Sequence, residues 1–311
     1  MSGFWRLVVT LAFLAIVALF VDMRAVLTRI AMLDLWWFAA ALLISVPQYV
    51  LSAARWKLTA SRLGADISFK TALSEYYLAV LGNLLLPGGV LGDAGRVYRH
   101  GKTMQTENGY GPALHAVLCE RLSGQLALFI VMLLGLAARP LLYGADAATR
   151  GIATVAFIAA GLPSVVVLLT YIGPFASTAI AIRARDFLRD MRHAVLAPDV
   201  VGIQTAYSLA ILATYLVTYY CAGRAAGVEM TLTQVVTLVP VVLFAMVVPF
   251  TIGGWGIREG AAGTIWVLAG LDAHEGVTAS IAYGLVVLVS ALPGIAIALR
   301  SLRKDDFRHQ R

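Results

Sequence analysis

Apolar runs recur along this chain from end to end, and the polar stretches between them are short. The runs lie at about 5–21, 35–54, 71–87, 111–137, 151–172, 203–222, 233–250, 258–271 and 276–299. Several reach the roughly 20 residues that a helix needs to cross a bilayer, and no polar segment approaches the size of an ordinary soluble domain. Composition points the same way: 60% of the 311 residues are apolar and 13% charged, against roughly 45–50% and 25% in soluble domains. The expectation is an all-α polytopic protein, a single integral-membrane domain over residues 1–311.

The first run is followed by "VDMRAVL", which offers no small-x-small cleavage site. It reads as an uncleaved first helix rather than a secretory signal. Cys119 and Cys221 both fall inside apolar runs, suggesting neither a disulfide framework nor a metal cluster. The net charge of +7 reflects membrane topology and is no argument for a nucleic-acid partner. "GRVYRHGKT" departs from phosphate-loop spacing and follows no soluble strand. His115 and Cys119 share a helical face, but two such residues do not make a metal site. No catalytic triad or HExxH pattern is present, so neither an enzyme nor a bound cofactor is expected.

Charge orients the chain, because cytoplasmic loops carry the excess of Lys and Arg. Loop 55–70 holds Arg55, Lys57, Arg62 and Lys70; loop 173–202 holds Arg183, Arg185, Arg189 and Arg192; a third basic cluster follows Arg300. Loops 22–34, 138–150, 223–232 and the turn near 271–276 are poorer and belong outside. If every apolar run crossed once, two basic segments would end up outside. The rule is satisfied if 71–104 and 233–271 are instead re-entrant helical hairpins entered from opposite faces, beside six full crossings. Both termini are then cytoplasmic, in a prokaryotic inner membrane. Segment 177–196 mixes basic and apolar residues at helical spacing and suits the cytoplasmic interface against anionic lipid, or simply a topogenic loop.

Each hairpin carries a break. The first reads "GNLLLPGGVLGDAGRVYRH" (82–100), the second "VVPFTIGGWGIREGAAG" (247–263). Both run from an apolar helix through proline and glycines to an Arg and an acidic residue, with Pro87 five residues before Gly92 and Pro249 five before Gly254. Entered from opposite faces, they form an inverted repeat, the arrangement in which transporters build midplane sites on broken helices. Irregular backbone at membrane depth must be buried in protein or line a cavity. Pro87, Gly88, Gly89 and Gly92 would open the first hairpin, and Pro249, Gly253, Gly254 and Gly256 the second.

Half-helices restarting near Asp93 and near Ile257 would present unpaired N–H groups and positive dipole ends. With Arg96 and Arg258 in the first turn, they suit a phosphate-bearing headgroup. Asp93 caps its half-helix or joins the site. Glu120 and Arg121 lie about nine residues into the 111–137 crossing, where ionisable groups normally face partners or a cavity. Adjacent residues sit about 100° apart on a helix, so Glu120 and Arg121 are expected to pair with Arg258 and Glu259 across the hairpins. A structural ion-pair network without substrate contact is the competing reading. Glu120 and Glu259 would balance charge, hold an amine or carry a coupled proton.

The elements "NLLLPGGVLGDAGRVYR" (83–99), "VLCERLSG" (117–124) and "PFTIGGWGIREGAA" (249–262), in that order, resemble the membrane region of the lysylphosphatidylglycerol synthase family, also called the flippase-like domain family. The resemblance covers nearly the whole chain. Leu91 stands where the family favours a glycine before the Asp, leaving Asp93 and Arg96 in register. In two-part members the membrane half is thought to move aminoacylated phospholipid between leaflets while a soluble half makes it. The resemblance therefore implies translocation without synthesis for a chain that ends at 311. Other stand-alone relatives are associated with lipid-linked sugar or isoprenoid-lipid pathways. The expected partner is a membrane lipid, either a phospholipid or a polyprenyl-phosphate-linked one. A non-transporting scaffold that presents lipid to a membrane glycosyltransferase or lipid-modifying enzyme is the second class, and a membrane enzyme using Glu120 or Glu259 the third.

Overall fold

The computed structural model describes residues 3–86, 89–104, 110–143, 178–246 and 251–309. The apolar run at 151–172, and Pro87, Gly88 and Pro249 among the residues expected to open the breaks, lie outside the described residues. All regular structure among the described residues is helical. In order these are α1 (Gly3–Phe20), α2 (Met23–Ala31), α3 (Leu35–Arg62), α4 (Phe69–Leu85), α5 (Leu91–Thr103), α6 (Tyr110–Tyr143) and α7 (Thr178–Met191). A π-helical turn (Arg192–Leu196) follows, then α8 (Val201–Ala225), α9 (Leu232–Ala245), α10 (Ile257–Leu268), α11 (Ala273–Ser290) and α12 (Pro293–His309).

The helix starts are written in local chemistry. Asp34 Oδ1 accepts from the N–H groups of Trp36 and Trp37 at the head of α3, and Ser68 caps α4 through the Thr71 N–H. Thr231 and Gln234 close a reciprocal capping box on α9, satisfying N–H groups that would otherwise have no partner.

Among the described residues, four segments are long and apolar enough to cross a membrane: Leu35–Arg62, Tyr110–Ala138, Val201–Ala225 and Ala273–Ser301. α3 alone has 28 residues, about 42 Å of helix at 1.5 Å per residue against a hydrocarbon core of about 30 Å. The pair Leu7–Phe20 and Met23–Ala31 forms a fifth candidate, bent by 103°. Large apolar side chains such as Leu19, Phe20, Trp36 and Leu43 are strongly exposed. This is the reverse of a soluble surface and suits a protein solvated by lipid tails.

α4 and α5 form an antiparallel helical hairpin. Gly82 and Gly92 allow the close crossing: a Cβ on Gly92 would sit 1.9 Å from the Ala79 carbonyl oxygen, and one on Gly82 would sit 2.8 Å from Gly92 Cα. Further out, Arg99 Nε reaches Glu75 Oε2 at 2.7 Å. In the second half of the chain α9 packs on α10, and α10 on α11.

The two hairpins sit against separate cores. α4 belongs with α3 and α6 around Trp56, Ala60, Tyr76 and Val117, whereas α9 and α10 join α8 and α11 around Tyr219, Leu238, Val242 and Trp266. α3 lies along α8 and ties the halves together.

The two breaks differ in construction, which corrects the expectation of matched glycines. α5 begins at Leu91, four residues after Pro87, while α10 begins at Ile257, eight after Pro249. Gly92 is therefore already helical and serves close packing, whereas Gly254 lies in the turn with φ +78°. Gly253 and Gly256 share that left-handed backbone at +58° and +88°, a region where a side chain is strained. Distance from a proline does not fix where a helix restarts. By the same token Arg96 is the sixth residue of α5 rather than a first-turn residue.

Candidate functional site

The first hairpin carries a buried charge cluster drawn from α3, α5 and α6. Glu120 is held by two guanidinium groups: Arg55 Nη2 donates to Oε1 at 2.7 Å and Arg96 Nη2 to Oε2 at 3.3 Å. Arg55 also donates to Ser208 Oγ on α8 at 3.0 Å. Arg96 Nη2 reaches Asp93 Oδ1 at 3.0 Å, and Arg121 Nη2 reaches Asp93 Oδ2 at 2.7 Å. Side-chain exposure is 0% for Arg96 and Glu120, 15% for Asp93 and 33% for Arg121. The cluster is therefore closed at Glu120 and reachable past Arg121.

The surroundings are built for a buried guanidinium. Arg96 Cζ lies 4.5 Å from the Trp56 ring centroid and 5.0 Å from that of Tyr76, so aromatic rings take its faces. Gly124 of α6 leaves room for Arg55, since a Cβ there would lie 2.8 Å from Nη2.

The second hairpin has a smaller cluster. Arg258 Nη2 donates to Glu259 Oε1 at 2.6 Å, its Nε donates to the same oxygen and to Ser280 Oγ, both at 2.9 Å, and Ser280 Oγ donates to Glu259 Oε1 at 3.0 Å. The Arg258 guanidinium lies 4.8 Å from the Trp255 ring and 5.5 Å from that of Tyr283. Each hairpin thus carries a buried arginine beside a tryptophan and a tyrosine.

The expected pairing of Glu120 and Arg121 with Arg258 and Glu259 is not what forms. Glu120 takes Arg55 and Arg96, Arg121 takes Asp93, and Arg258 takes its own neighbour. Adjacent residues can pair at a helix N-terminus because Glu259 folds back to accept from the Gly256 N–H at 2.7 Å, bringing its other oxygen to Arg258. Mid-helix, Glu120 and Arg121 have no such freedom.

Nor do the half-helix termini stand open. Asn83 Oδ1 accepts from the Gly92 and Asp93 N–H groups at 2.8 and 3.3 Å, and Asn83 Nδ2 donates to Asp93 Oδ2 at 2.9 Å. Asn83 is thus the residue that satisfies the start of α5, and Asp93 serves the arginines instead. Glu259 does the same service for α10. The Thr10 hydroxyl of α1 accepts from the Ile252 N–H at 3.0 Å, closing the second break from outside.

The second break approaches the end of α4. A Cβ on Gly253 would lie 3.2 Å from the Leu84 carbonyl oxygen. Between the clusters runs a set of tyrosines: Tyr49 stacks on Tyr77 at 4.3 Å and hydrogen-bonds Ser290, while Tyr219 packs on Tyr283. Tyr76 lies against Arg96 in the first cluster and Tyr283 against Arg258 in the second.

Arg55 is the residue that charge reading misplaced. The basic loop 55–70 expected from charge would begin with it, yet it is 4% exposed inside α3. A signal was available: Ser45, Tyr49, Ser52, Trp56 and Thr59 recur at helical spacing and are all buried, marking an interior polar stripe beside which Arg55 falls. His115, set aside as a metal ligand, contacts Asp190 of α7 at 2.6 Å through Nδ1.

Comparison with curated proteins and with solved structures gives no match. The family model described as the lysylphosphatidylglycerol synthase TM region matches residues 3–294. A helical architecture and a family match over nearly the whole length agree, and the chain belongs to the lysylphosphatidylglycerol synthase transmembrane-region family.

Proposed function

We propose that this protein passes the polar headgroup of an anionic or aminoacylated phospholipid, or of a polyprenyl-phosphate-linked lipid, between membrane leaflets while the acyl chains stay in lipid. The observation that carries this reading is the cluster of Arg55, Arg96, Arg121, Asp93 and Glu120, buried among helices of membrane-spanning length. Charges at such depth are costly and mark substrate pathways more often than scaffolding. The family match supports a lipid-related role at the membrane.

In this reading α4–α5 and α9–α10 are the two re-entrant hairpins of an inverted repeat, entered from opposite faces beside six crossings, with both termini in the cytoplasm of a prokaryotic inner membrane. Arg96 and Arg121 engage the headgroup phosphate, Glu120 and Asp93 hold the guanidinium groups in place, and the Arg258–Glu259 pair supports the opposite tip. The approach of Gly253 to Leu84 and the tyrosines beside each cluster, Tyr76 and Tyr283, support a route that links the two breaks.

The test is reconstitution in liposomes with headgroup-labelled phosphatidylglycerol in both leaflets and an impermeant quencher outside. Wild type should expose the inner-leaflet label faster than empty liposomes, and folded Arg96→Gln should not. Equal rates in all three would leave the scaffold reading, in which a lipid-modifying enzyme is the partner.

A further inference from the structure

Resting on this headgroup reading, we infer that the first hairpin's cluster selects its ligand by phosphate valence: it takes a phosphodiester bearing one negative charge, in preference to a phosphomonoester or a diphosphate. The cluster holds three guanidinium groups, Arg55, Arg96 and Arg121, against two carboxylates, Asp93 and Glu120. Counted as ionised, they leave one positive charge uncompensated. The second hairpin has no such remainder, because Arg258 is matched by Glu259. A single anion brought to the first cluster neutralises it. A dianion would restore an unpaired charge of the opposite sign in a region where unpaired charge is heavily penalised.

The donors that would meet such an anion are already present. Arg55 Nε, Arg96 Nε, Arg96 Nη1 and Arg121 Nε are buried nitrogens without a hydrogen-bond partner among the described residues. For Arg96 the rings of Trp56 and Tyr76 occupy the faces of the guanidinium, leaving in-plane N–H groups for oxygen acceptors. The backbone N–H groups at the start of α5 are taken by Asn83, so guanidinium edges rather than a helix terminus form the donor set. Arg121, a third exposed, and Asp93 mark the side from which a headgroup arrives.

Competition followed by native mass spectrometry on the purified full chain tests this. The probes are phosphatidylglycerol, phosphatidic acid, a polyprenyl diphosphate, phosphatidylcholine and the soluble diester glycerophosphoglycerol. At pH 8, where phosphatidic acid and the polyprenyl diphosphate each carry about two or more negative charges, wild type should retain phosphatidylglycerol over both by about tenfold. Asp93→Asn raises the remainder from one to two and should invert that ranking; Glu120→Gln makes the same change from the opposite side of Arg96, should Asp93→Asn not fold. Arg121→Gln removes the remainder and should bring phosphatidylglycerol down to the level of phosphatidylcholine. A wild-type preference for the diphosphate, or a ranking unchanged by the carboxylate variants, would overturn the valence rule while anionic-lipid binding still upheld the headgroup reading. No preference for any anionic lipid over phosphatidylcholine would overturn both. Displacement by equimolar glycerophosphoglycerol would keep the valence rule and overturn lipid as its source.

Discussion

Arg55 and Glu120 stand 65 positions apart in sequence and form a 2.7 Å ion pair inside the helix bundle. The pair joins α3 to α6, and through Ser208 it reaches α8. Three long helices are thereby locked around one carboxylate. Removing that carboxylate leaves Arg55 and Arg96 buried together without their shared acceptor, so Glu120→Ala should destabilise the protein by about 3–5 kcal/mol. Glu120→Gln, which keeps an oxygen acceptor, should lose less. Thermal unfolding in detergent measures both, and equal melting temperatures for wild type and Glu120→Ala would contradict the network.

Close approach of α4 and α5 makes Gly92 intolerant of any side chain. A Cβ there meets backbone, the Ala79 carbonyl oxygen at 1.9 Å, so Gly92→Ala must force the hairpin apart, at about 1–3 kcal/mol or more. Gly202 has nothing within 4 Å, and Gly202→Ala should be neutral or stabilising by about 0.5–1 kcal/mol. A melting series on the two variants reads the difference directly.

Asn83 ties the start of α5 to the end of α4. Asn83→Ala strips the acceptor from two N–H groups and a donor from Asp93, which should cost about 1–2 kcal/mol by analogy with a lost helix cap. Hydrogen exchange should rise at residues 91–96 and stay unchanged in α11. Uniform exchange across the chain would show that Asn83 has no local role.

Orientation is open to cysteine labelling in intact cells. Cys119 and Cys221 are buried and should not react with an impermeant maleimide. Asp272→Cys lies at an exposed position in the turn before α11 and should react from outside. Arg183→Cys on α7, also exposed, should react only after permeabilisation. The opposite pattern would invert the proposed topology.

Much of the architecture was legible because hydrophobicity and turn chemistry are local properties. The apolar runs gave the long helices, and "PGG" and "IGGWG" marked both breaks. The partners of Glu120 were not legible. Arg55 sits near the end of an apolar run, where a basic residue counts as topogenic, and only the Ser45–Thr59 stripe shows that this face turns inward. Asn83 is illegible for a related reason: its three bonds to α5 exist only once the hairpin folds. Pairing across helices depends on rotation and depth, which a single sequence does not encode in any one place.

The contact between Gly253 and Leu84 bears on membrane voltage. On the proposed topology the two hairpins enter from opposite faces and approach each other where Gly253 lies against Leu84. A monoanionic headgroup carried past that contact from one leaflet to the other would move one elementary charge across the membrane potential, about 2.3 kcal/mol per 100 mV. The resting potential of the cell would then bias the direction in which a charged headgroup moves.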